Sequence, residues 1–173
     1  ALKTHKLLEI KEDSHLRAGL KDLRKRTKFI GRWQIIGEKP TILCDSAHNE
    51  AGLRLAFEVV EDMRGRKTLA GQQHLDKTYE GFQQIHVVTG FVNDKEVDKV
   101  LGLFPQDARY YFAKADIPRG LDAKLLQEKA AGFGLHGRSY TSVPNALKAA
   151  KRAASPDDLI LVIGSIFVVA EVL

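Results

Sequence analysis

The residue types best suited to chemistry in this chain lie directly after an apolar, β-branched run, in the segment TILCDSAHN. Asp45, His48 and Asn49 bring a carboxylate, an imidazole and an amide into one short turn. Such groups can hydrogen-bond sugar hydroxyls or phosphates, or contribute to a metal site if further ligands lie nearby. Asn49 can equally serve only to cap the helix that follows. The residues alone leave ligand binding and capping open.

Two further polar segments follow apolar runs, TGFVNDKE with Lys95 and VIGSIF with Ser165. Lys95 falls in the first turn of a predicted helix, where a cation opposes the helix dipole, so an anionic ligand would explain it. A solvated lysine paired with an acid such as Asp98 is the alternative. Gly164 and Ser165 expose backbone N–H groups and a hydroxyl, although Ser165 can also act as an N-cap. Because Phe167 stands two residues after Ser165, the serine-hydrolase pattern G-x-S-x-G is missing.

Two arginines are also candidates for anion recognition. Arg32 follows Gly31 just before a predicted strand, and this position suits a residue near a hinge that reaches a nucleotide phosphate. Arg119, in the segment IPRG, could clamp a carboxylate or be an ordinary loop arginine. The chain has neither a GxxxxGK[ST] phosphate loop nor a GxGxxG fingerprint. A partner domain is therefore predicted to complete any nucleotide site.

Strand-like and helix-like segments alternate along the chain and predict an α/β fold. The pattern is typical of a Rossmann-like, mostly parallel sheet with helices on both faces. Right-handed crossovers then bring the carboxyl ends of the strands, and the polar segments after them, to one edge. The predicted strands are 32–36, 41–45, 84–89, 109–113, 136–140 and 159–163, and the predicted helices are 50–64, 94–103, 122–131, 143–154 and 165–173.

The domain organisation follows from changes in composition. Residues 1–28 place Leu16, Leu20 and Leu23 at helical spacing and are interpreted as a linker or tail helix, the end of a preceding domain. Residues 29–173 form the remaining domain. Within it, the polar, glycine-punctuated segment 65–81 is predicted to be a long surface loop.

Composition narrows the cellular setting. The single cysteine, Cys44, lies in an apolar strand, so it cannot form an internal disulfide and fits a reducing cytoplasm. The longest apolar stretch, 159–169, contains Gly164 and Ser165 and falls short of the roughly 18 residues of a membrane span. The net charge of +5 comes without zinc-finger spacing or an RNP-type aromatic box, so neither membrane nor nucleic acid is a predicted partner. A non-catalytic basic binding module remains an alternative.

Four segments together resemble a known family: GRWQII…PTILCDSAHNEAG, FVNDKEVDKVLGLFP, ADIPRGL and DLILVIGSIFVVAEVL. They are similar, in order, to the C-terminal domain of folylpolyglutamate synthase/dihydrofolate synthase in the Mur ligase superfamily. The resemblance implies ATP-dependent addition of L-glutamate to folate, through an acyl phosphate. Whether dihydropteroate is also a substrate stays open. A Mur-type ligase that adds an amino acid to a peptidoglycan precursor is the alternative.

The resemblance also implies roles for individual residues. Arg32 and Asp45 would contact ATP, and His48 would be a catalytic residue beside them. Lys95 and Ser165 would hold the incoming glutamate. The Mg²⁺ ions would be held mainly by the N-terminal ATPase domain, so no metal ligand is assigned to this chain. Family members are typically monomers, and this domain alone is expected to be inactive.

Overall fold

Six strands form one sheet in the computed structural model, which describes residues 30–65, 81–93 and 97–173. The predicted linker helix 1–28, most of the predicted loop 65–81, and Lys95 lie outside the described residues. The strands are β1 (Gln34–Glu38), β2 (Thr41–Asp45), β3 (Ile85–Thr89), β4 (Arg109–Ala113), β5 (Gly137–Tyr140) and β6 (Leu159–Ile163). The helices in the described part are α1 (Glu50–Gly65), α2 (Val97–Leu101), α3 (Ala123–Ala131), α4 (Val143–Ala153) and α5 (Ile166–Ala170).

The strand order is β1-β2-β6-β3-β4-β5, and every pairing is parallel except that of β1 with β2. The last strand along the chain, β6, therefore lies between β2 and β3. Ile163 at its end is in register with both Asp45 and Thr89. The ends of these three strands are neighbours, which confirms the predicted convergence of polar segments at one edge.

The central strands are buried on both faces, and their sequences are accordingly rich in apolar residues. All residues of β6 and β3 are buried. Successive side chains of a strand point to opposite faces, so Ile160 and Val162 share one face of the sheet. Residues of α4 and α5, such as Ala146 and Val168, belong to the same buried cluster.

An aromatic cluster fills the opposite face. Phe104 lies between α1 and β4, with its ring centroid 4.8 Å from that of Phe57 and 6.1 Å from that of Tyr110. Tyr110 stacks on Phe112 at 5.6 Å. Helices thus cover both faces of the sheet, as predicted. None of the helices in the described part has the length and apolar character needed to cross a bilayer.

Most elements differ from their predicted boundaries by one to three residues, and two of the differences lie beside the polar segments. β1 begins at Gln34 rather than Arg32, because Gly31 (φ 76°) and Trp33 (φ 48°) adopt left-handed conformations that an extended strand cannot contain. Ser165 is extended, with φ −161°, and lies before α5 rather than inside it. Both differences place a turn where the sequence predicted regular structure, and both turns lie at the edge that carries the polar segments.

A buried hydrogen-bond network ties the opposite edge of the sheet. The Nε2 of His86 lies 3.3 Å from a carboxylate oxygen of Asp158, and its Nδ1 lies 2.9 Å from the Tyr111 hydroxyl. Asp158 also accepts hydrogen bonds from the backbone N–H groups of Ser155 and Gln84, at 2.7 and 3.1 Å. A carboxylate can only accept, so in the neutral ring Nε2 carries the proton and Tyr111 donates to Nδ1. The network links β3, β4 and the start of β6.

Candidate active site

Asp45, the last residue of β2, holds together the loop in front of β1. One carboxylate oxygen accepts a hydrogen bond from the backbone N–H of Ala47 at 2.8 Å, and the other accepts from Trp33 at 2.9 Å. The Arg32 guanidinium lies 3.5 Å from the same carboxylate. Asp45 is buried, whereas the Arg32 side chain is 46% exposed. Asp45 therefore orients Arg32, and Arg32 presents a cation at the rim of the sheet.

The loop that carries Arg32 is fixed by its own backbone. The Ser46 N–H donates to the Gly31 carbonyl at 2.8 Å, and the Gly31 N–H donates to the Gln34 side chain at 2.9 Å. Trp33, a non-glycine residue with positive φ, is in a sparsely populated conformation that surrounding contacts must impose. Strain of this kind is concentrated at functional sites.

His48 and Asn49 occupy the turn between β2 and α1. The His48 Nδ1 lies 3.0 Å from the Ser46 carbonyl oxygen, which can only accept, so Nδ1 carries the proton. In the neutral ring the Nε2 then keeps its lone pair. Asn49 accepts a hydrogen bond from the Gly52 N–H at 2.9 Å and caps α1. The capping alternative from the sequence is thus confirmed for Asn49. A ligand role of His48 stays a prediction.

Ser165 lies at the end of β6. The Gly164 N–H donates to the Ala47 carbonyl at 3.1 Å, which ties this segment to the turn after β2. The Ser165 hydroxyl oxygen accepts from the Phe167 N–H at 3.3 Å. Because that bond uses only a lone pair, the hydroxyl proton can still be donated to a ligand.

Arg119 comes from the loop after β4. Its carbonyl accepts from the Asn93 N–H at 2.8 Å, and the Leu121 N–H donates to Phe91 at 2.8 Å. The guanidinium carbon of Arg119 lies 5.8 Å from the centre of the Phe167 ring, within the range of a cation–π contact. Arg119 is therefore fixed at its backbone and contacts an aromatic ring at its charged end.

These loops enclose a cavity of about 260 Å³, here called the strand-end pocket. Its volume lies below the roughly 300–1,000 Å³ of drug-sized ligand sites, so it suits a molecule the size of an amino acid. The described lining contains no carboxylate, and the side chains in it that can carry charge are His48 and Arg119. The described lining residues are His48, Asn49, Phe91, Val92, Val97, Val100, Arg119, Gly164, Ser165, Ile166 and Phe167.

The structure brings some predicted site residues together and separates others. His48 and Ser165 line the strand-end pocket, while Arg32 and Asp45 pair with each other at the same edge, outside the described lining. Arg119, for which the sequence left two interpretations open, lines the pocket. Phe167 was not predicted as a site residue, although its position two residues after Ser165 was a usable signal.

A larger groove lies elsewhere and has the opposite charge. It has a volume of about 640 Å³ on the side of α1, and it is lined by Glu58, Glu61 and Asp62 together with Arg54, Phe57, Leu103 and Pro105. Its carboxylates disfavour an anionic ligand. The strand-end pocket is therefore the better candidate for one.

The fit of nucleotide and metal differs among these residues. The exposed guanidinium of Arg32 suits a phosphate. Both Asp45 oxygens already accept backbone hydrogen bonds, so Asp45 suits the holding of Arg32 better than direct contact. Among the described residues, no cluster of three or more His, Cys, Asp or Glu side chains could hold a metal ion.

The chain is an α/β domain with a pocket at the carboxyl edge of its sheet, the edge at which open α/β sheets bind their ligands. The family described as "Mur ligase, glutamate ligase domain" matches residues 31–166. The chain belongs to this Mur ligase family, which confirms the resemblance seen in the sequence.

Curated relatives match most of the chain. A dihydrofolate synthase/folylpolyglutamate synthase from Escherichia coli is 31% identical over 144 residues, which are 83% of this chain and 29% of the relative. A probable bifunctional folylpolyglutamate synthase/dihydropteroate synthase from Haloferax volcanii is 31% identical over 82% of this chain and 15% of the relative. The chain thus spans less than a third of the length of these relatives.

Solved structures show the same fold. The Escherichia coli FolC in complex with DHPP and ADP superposes with a TM-score of 0.69 at 28% identity, over 95% of this chain and 34% of that chain. A Mycobacterium tuberculosis folylpolyglutamate synthase complexed with ADP and AMPPCP superposes with a TM-score of 0.63 at 25% identity, over 82% of this chain and 30% of that chain. The mostly parallel sheet with helices on both faces is therefore the fold of this family.

Proposed function

We propose that this chain is the C-terminal part of an ATP-dependent ligase that adds L-glutamate to folate. Dihydropteroate is a second candidate acceptor. One observation carries the proposal: His48, Arg119 and Ser165 meet in a cavity of amino-acid size whose described lining has no carboxylate. Glutamate is a dianion with one ammonium group, so such a lining matches its carboxylates. The names of the relatives point to the same amino acid and to folate acceptors.

Arg32 and Asp45 are proposed to serve the nucleotide. ATP supplies a phosphoryl group that converts the acceptor carboxylate into an acyl phosphate. Arg32, 46% exposed and held by Asp45, would neutralise phosphate charge once the domains close. In this proposal Asp45 acts by fixing Arg32 and the loop around it. Mg²⁺ would be held mainly by the N-terminal ATPase domain.

His48, Ser165 and Lys95 are proposed to serve glutamate. The Ser165 hydroxyl would donate a hydrogen bond to a carboxylate, and Lys95 would add a cation. When the glutamate amine attacks the acyl carbon, a C–N bond forms, the C–O bond to phosphate breaks, and the nitrogen loses a proton. The His48 Nε2, which keeps a lone pair in the neutral ring, would accept that proton.

The partner implied by this assignment is an N-terminal ATPase domain of the same enzyme. The pocket is built for the amino acid, and the chain carries no phosphate-loop sequence. The 173-residue chain by itself should therefore not turn over. We further propose that the complete enzyme is a cytoplasmic monomer without a nucleic-acid or membrane partner.

The test is an assay of the full-length protein with ATP, Mg²⁺ and L-glutamate. Tetrahydrofolate, 7,8-dihydropteroate and a UDP-linked peptidoglycan precursor are offered separately, and the product is identified by its mass. We expect ADP release and a product one glutamyl residue heavier with a folate acceptor. ADP release with only the UDP-linked precursor would favour the peptidoglycan alternative instead. Ser165→Ala should raise the KM for glutamate and leave the KM for ATP unchanged.

A further inference from the structure

Two arginines in the described residues lie over phenylalanine rings, and their surroundings differ. The guanidinium carbon of Arg64 lies 5.9 Å from the centre of the Phe82 ring, and that of Arg119 lies 5.8 Å from Phe167. Arg64 also pairs with Asp107 at 2.6 Å and with Glu61 at 3.5 Å. Among the described residues no carboxylate pairs with Arg119. Carboxylates thus neutralise the charge of Arg64, whereas the charge of Arg119 is left to pair with an anionic ligand.

Hydrogen bonds and tight packing fix the backbone around Arg119. The Arg119 carbonyl accepts a hydrogen bond from Asn93, and Gly120 forms an antiparallel bridge with Val92. A Cβ on Gly120 would lie 2.5 Å from the Ala115 carbonyl, so the turn is tightly packed. The Arg119 side chain thus starts from a defined point, and its charged end meets Phe167.

Phe167 is fixed as well. Its N–H donates to the Ser165 hydroxyl at 3.3 Å, and the residue is 37% exposed and lines the pocket. The exposed part of Phe167 makes no contribution to the hydrophobic core. The ring instead orders Arg119, because stacking restricts the rotamers of a long and otherwise mobile side chain.

The order of the strands in the sheet determines which loops form the two ends of the pocket. His48 follows β2, Ser165 follows β6 and Arg119 follows β4, while β3 lies between β6 and β4. Neighbouring strands are about 4.8 Å apart, so the loops after β2 and β4 are separated by about 14 Å. If His48 serves the amine, as proposed above, the nearby α-carboxylate belongs at the end near His48 and Ser165. The side-chain carboxylate then belongs at the end near Arg119.

We propose that Phe167 is a positioning residue that holds the Arg119 guanidinium over the strand-end pocket, where Arg119 pairs with the side-chain carboxylate of the incoming amino acid. The inference rests on the proposed glutamate ligase function. Arg119 would then reject an amino acid that carries an amide in place of that carboxylate, and Phe167 would sharpen the rejection by fixing the Arg119 guanidinium.

The experiment measures KM and kcat of the full-length enzyme for L-glutamate, for L-glutamine and for isoglutamine, in which the α-carboxylate is the amide. Loss of a charged hydrogen bond should make Arg119→Met raise the KM for glutamate about 10- to 100-fold. Its preference for glutamate over glutamine should shrink by a similar factor, while its preference over isoglutamine stays. Phe167→Leu should raise the KM for glutamate about two- to fivefold, with Phe167→Tyr close to wild type. The kcat and the KM for ATP should stay unchanged.

The second stacked pair provides matched controls. Arg64→Met and Phe82→Leu remove the same groups outside the pocket and should leave the KM for glutamate unchanged. Melting temperatures of all variants identify any loss that comes from unfolding. A glutamate KM unchanged in Arg119→Met, or a lost preference over isoglutamine instead of glutamine, overturns the assignment of Arg119. A strong effect in Arg119→Met with none in Phe167→Leu overturns the role of Phe167. A wild-type enzyme that extends no folate acceptor overturns the proposed function itself, before any variant is made.

Discussion

The Arg32 guanidinium lies 3.5 Å from the Asp45 carboxylate, yet the two residues contribute differently to the stability of the fold. Asp45 is 7% exposed and accepts backbone hydrogen bonds from Trp33 and Ala47. Arg32 is exposed, and its ion pair with Asp45 is of the surface kind that contributes little stability. Asp45 stabilises the loop, and Arg32 is the cation that the loop exposes.

Substitutions should separate these two roles. Asp45→Ala leaves two backbone N–H groups without their acceptor and should lower the free energy of unfolding by about 1–3 kcal/mol. Arg32→Met should lower it by less than about 1 kcal/mol. Both should reduce the ligase rate, because Arg32→Met removes the cation and Asp45→Ala removes the carboxylate that positions it. Urea unfolding followed by circular dichroism measures the stability, and ADP release by the full-length enzyme measures the rate.

A second arginine–carboxylate pair serves as the control for this prediction. Arg54 donates to Glu50 at 3.0 Å on the exposed surface of α1, one helical turn away. Arg54→Met should leave the ligase rate unchanged. It should change the free energy of unfolding by no more than about 0.5 kcal/mol. Arg32→Met with an undiminished rate would remove Arg32 from the active site.

The stability of the protein should fall in mild acid because of His86. Burial lowers the pKa of His86 below its ordinary 6.5, although the hydrogen bond and charge of Asp158 oppose that shift. Below pH 6.5 the unfolded chain therefore binds a proton that the folded protein resists, and the free energy of unfolding decreases with falling pH. The decrease stops once the pH passes the folded pKa. Urea titrations between pH 7.5 and pH 5 follow this trend.

Other groups also titrate in acid, so the comparison needs a variant. His86→Gln keeps an amide that can bond to Asp158 or Tyr111 but cannot take up a proton in this range. It should be less stable at pH 7.5, by about 1–3 kcal/mol, because one partner of the network loses its bond. Its stability should depend less steeply on pH than that of the wild type. Equal slopes in the two proteins would show that His86 does not cause the acid effect.

Cys44 should be chemically silent in the folded protein. Its side chain is fully buried in β2, and burial together with the adjacent Asp45 carboxylate raises the pKa of the thiol to about 12. Only the thiolate attacks alkylating reagents or disulfides. At pH 8 we expect no reaction with a disulfide reagent on the timescale of minutes in buffer, and one thiol per chain in denaturant. Fast labelling in buffer would mean that the sheet opens around β2.

The sequence predicted the elements of this fold more completely than their arrangement. The run LILVI was predicted as a strand because a fully buried strand needs no polar alternation, and Leu159–Ile163 is β6. That β6 lies between β2 and β3 is a long-range choice that no local pattern contains. The polar ends of the three strands still indicated the right edge, since parallel strands place their carboxyl ends together.

The details of the site depended on backbone conformations and contacts between distant residues. RWQII reads as a strand because its residues favour extended structure, but the Asp45 carboxylate bonds to the Trp33 N–H and helps to hold that residue at positive φ. Arg119 and Phe167 lie on loops after different strands, so their contact required the topology first. Local sequence patterns describe neither relationship.

Gly164 should tolerate no side chain. Its φ of +121° is a conformation that other residues rarely adopt, and an added Cβ would lie 2.7 Å from the Thr89 hydroxyl and 2.8 Å from the Gly90 carbonyl. Gly164→Ala should therefore lower the free energy of unfolding by about 1–3 kcal/mol. Because the Gly164 backbone connects β6 to Ser165, the variant should also raise the KM for glutamate in the full-length enzyme.

A double variant identifies the source of this cost. Thr89→Ala removes the hydroxyl that the new Cβ would approach, but the Gly90 carbonyl and the positive φ remain. If the backbone dominates, as these contacts indicate, Thr89→Ala combined with Gly164→Ala should recover less than half of the stability that Gly164→Ala loses relative to its own background. The comparison is a double-mutant cycle measured by urea unfolding, with Thr89→Ala as the reference. Full recovery would show instead that the Thr89 side chain alone excludes a Cβ at position 164, and that the backbone at the end of β6 can adapt.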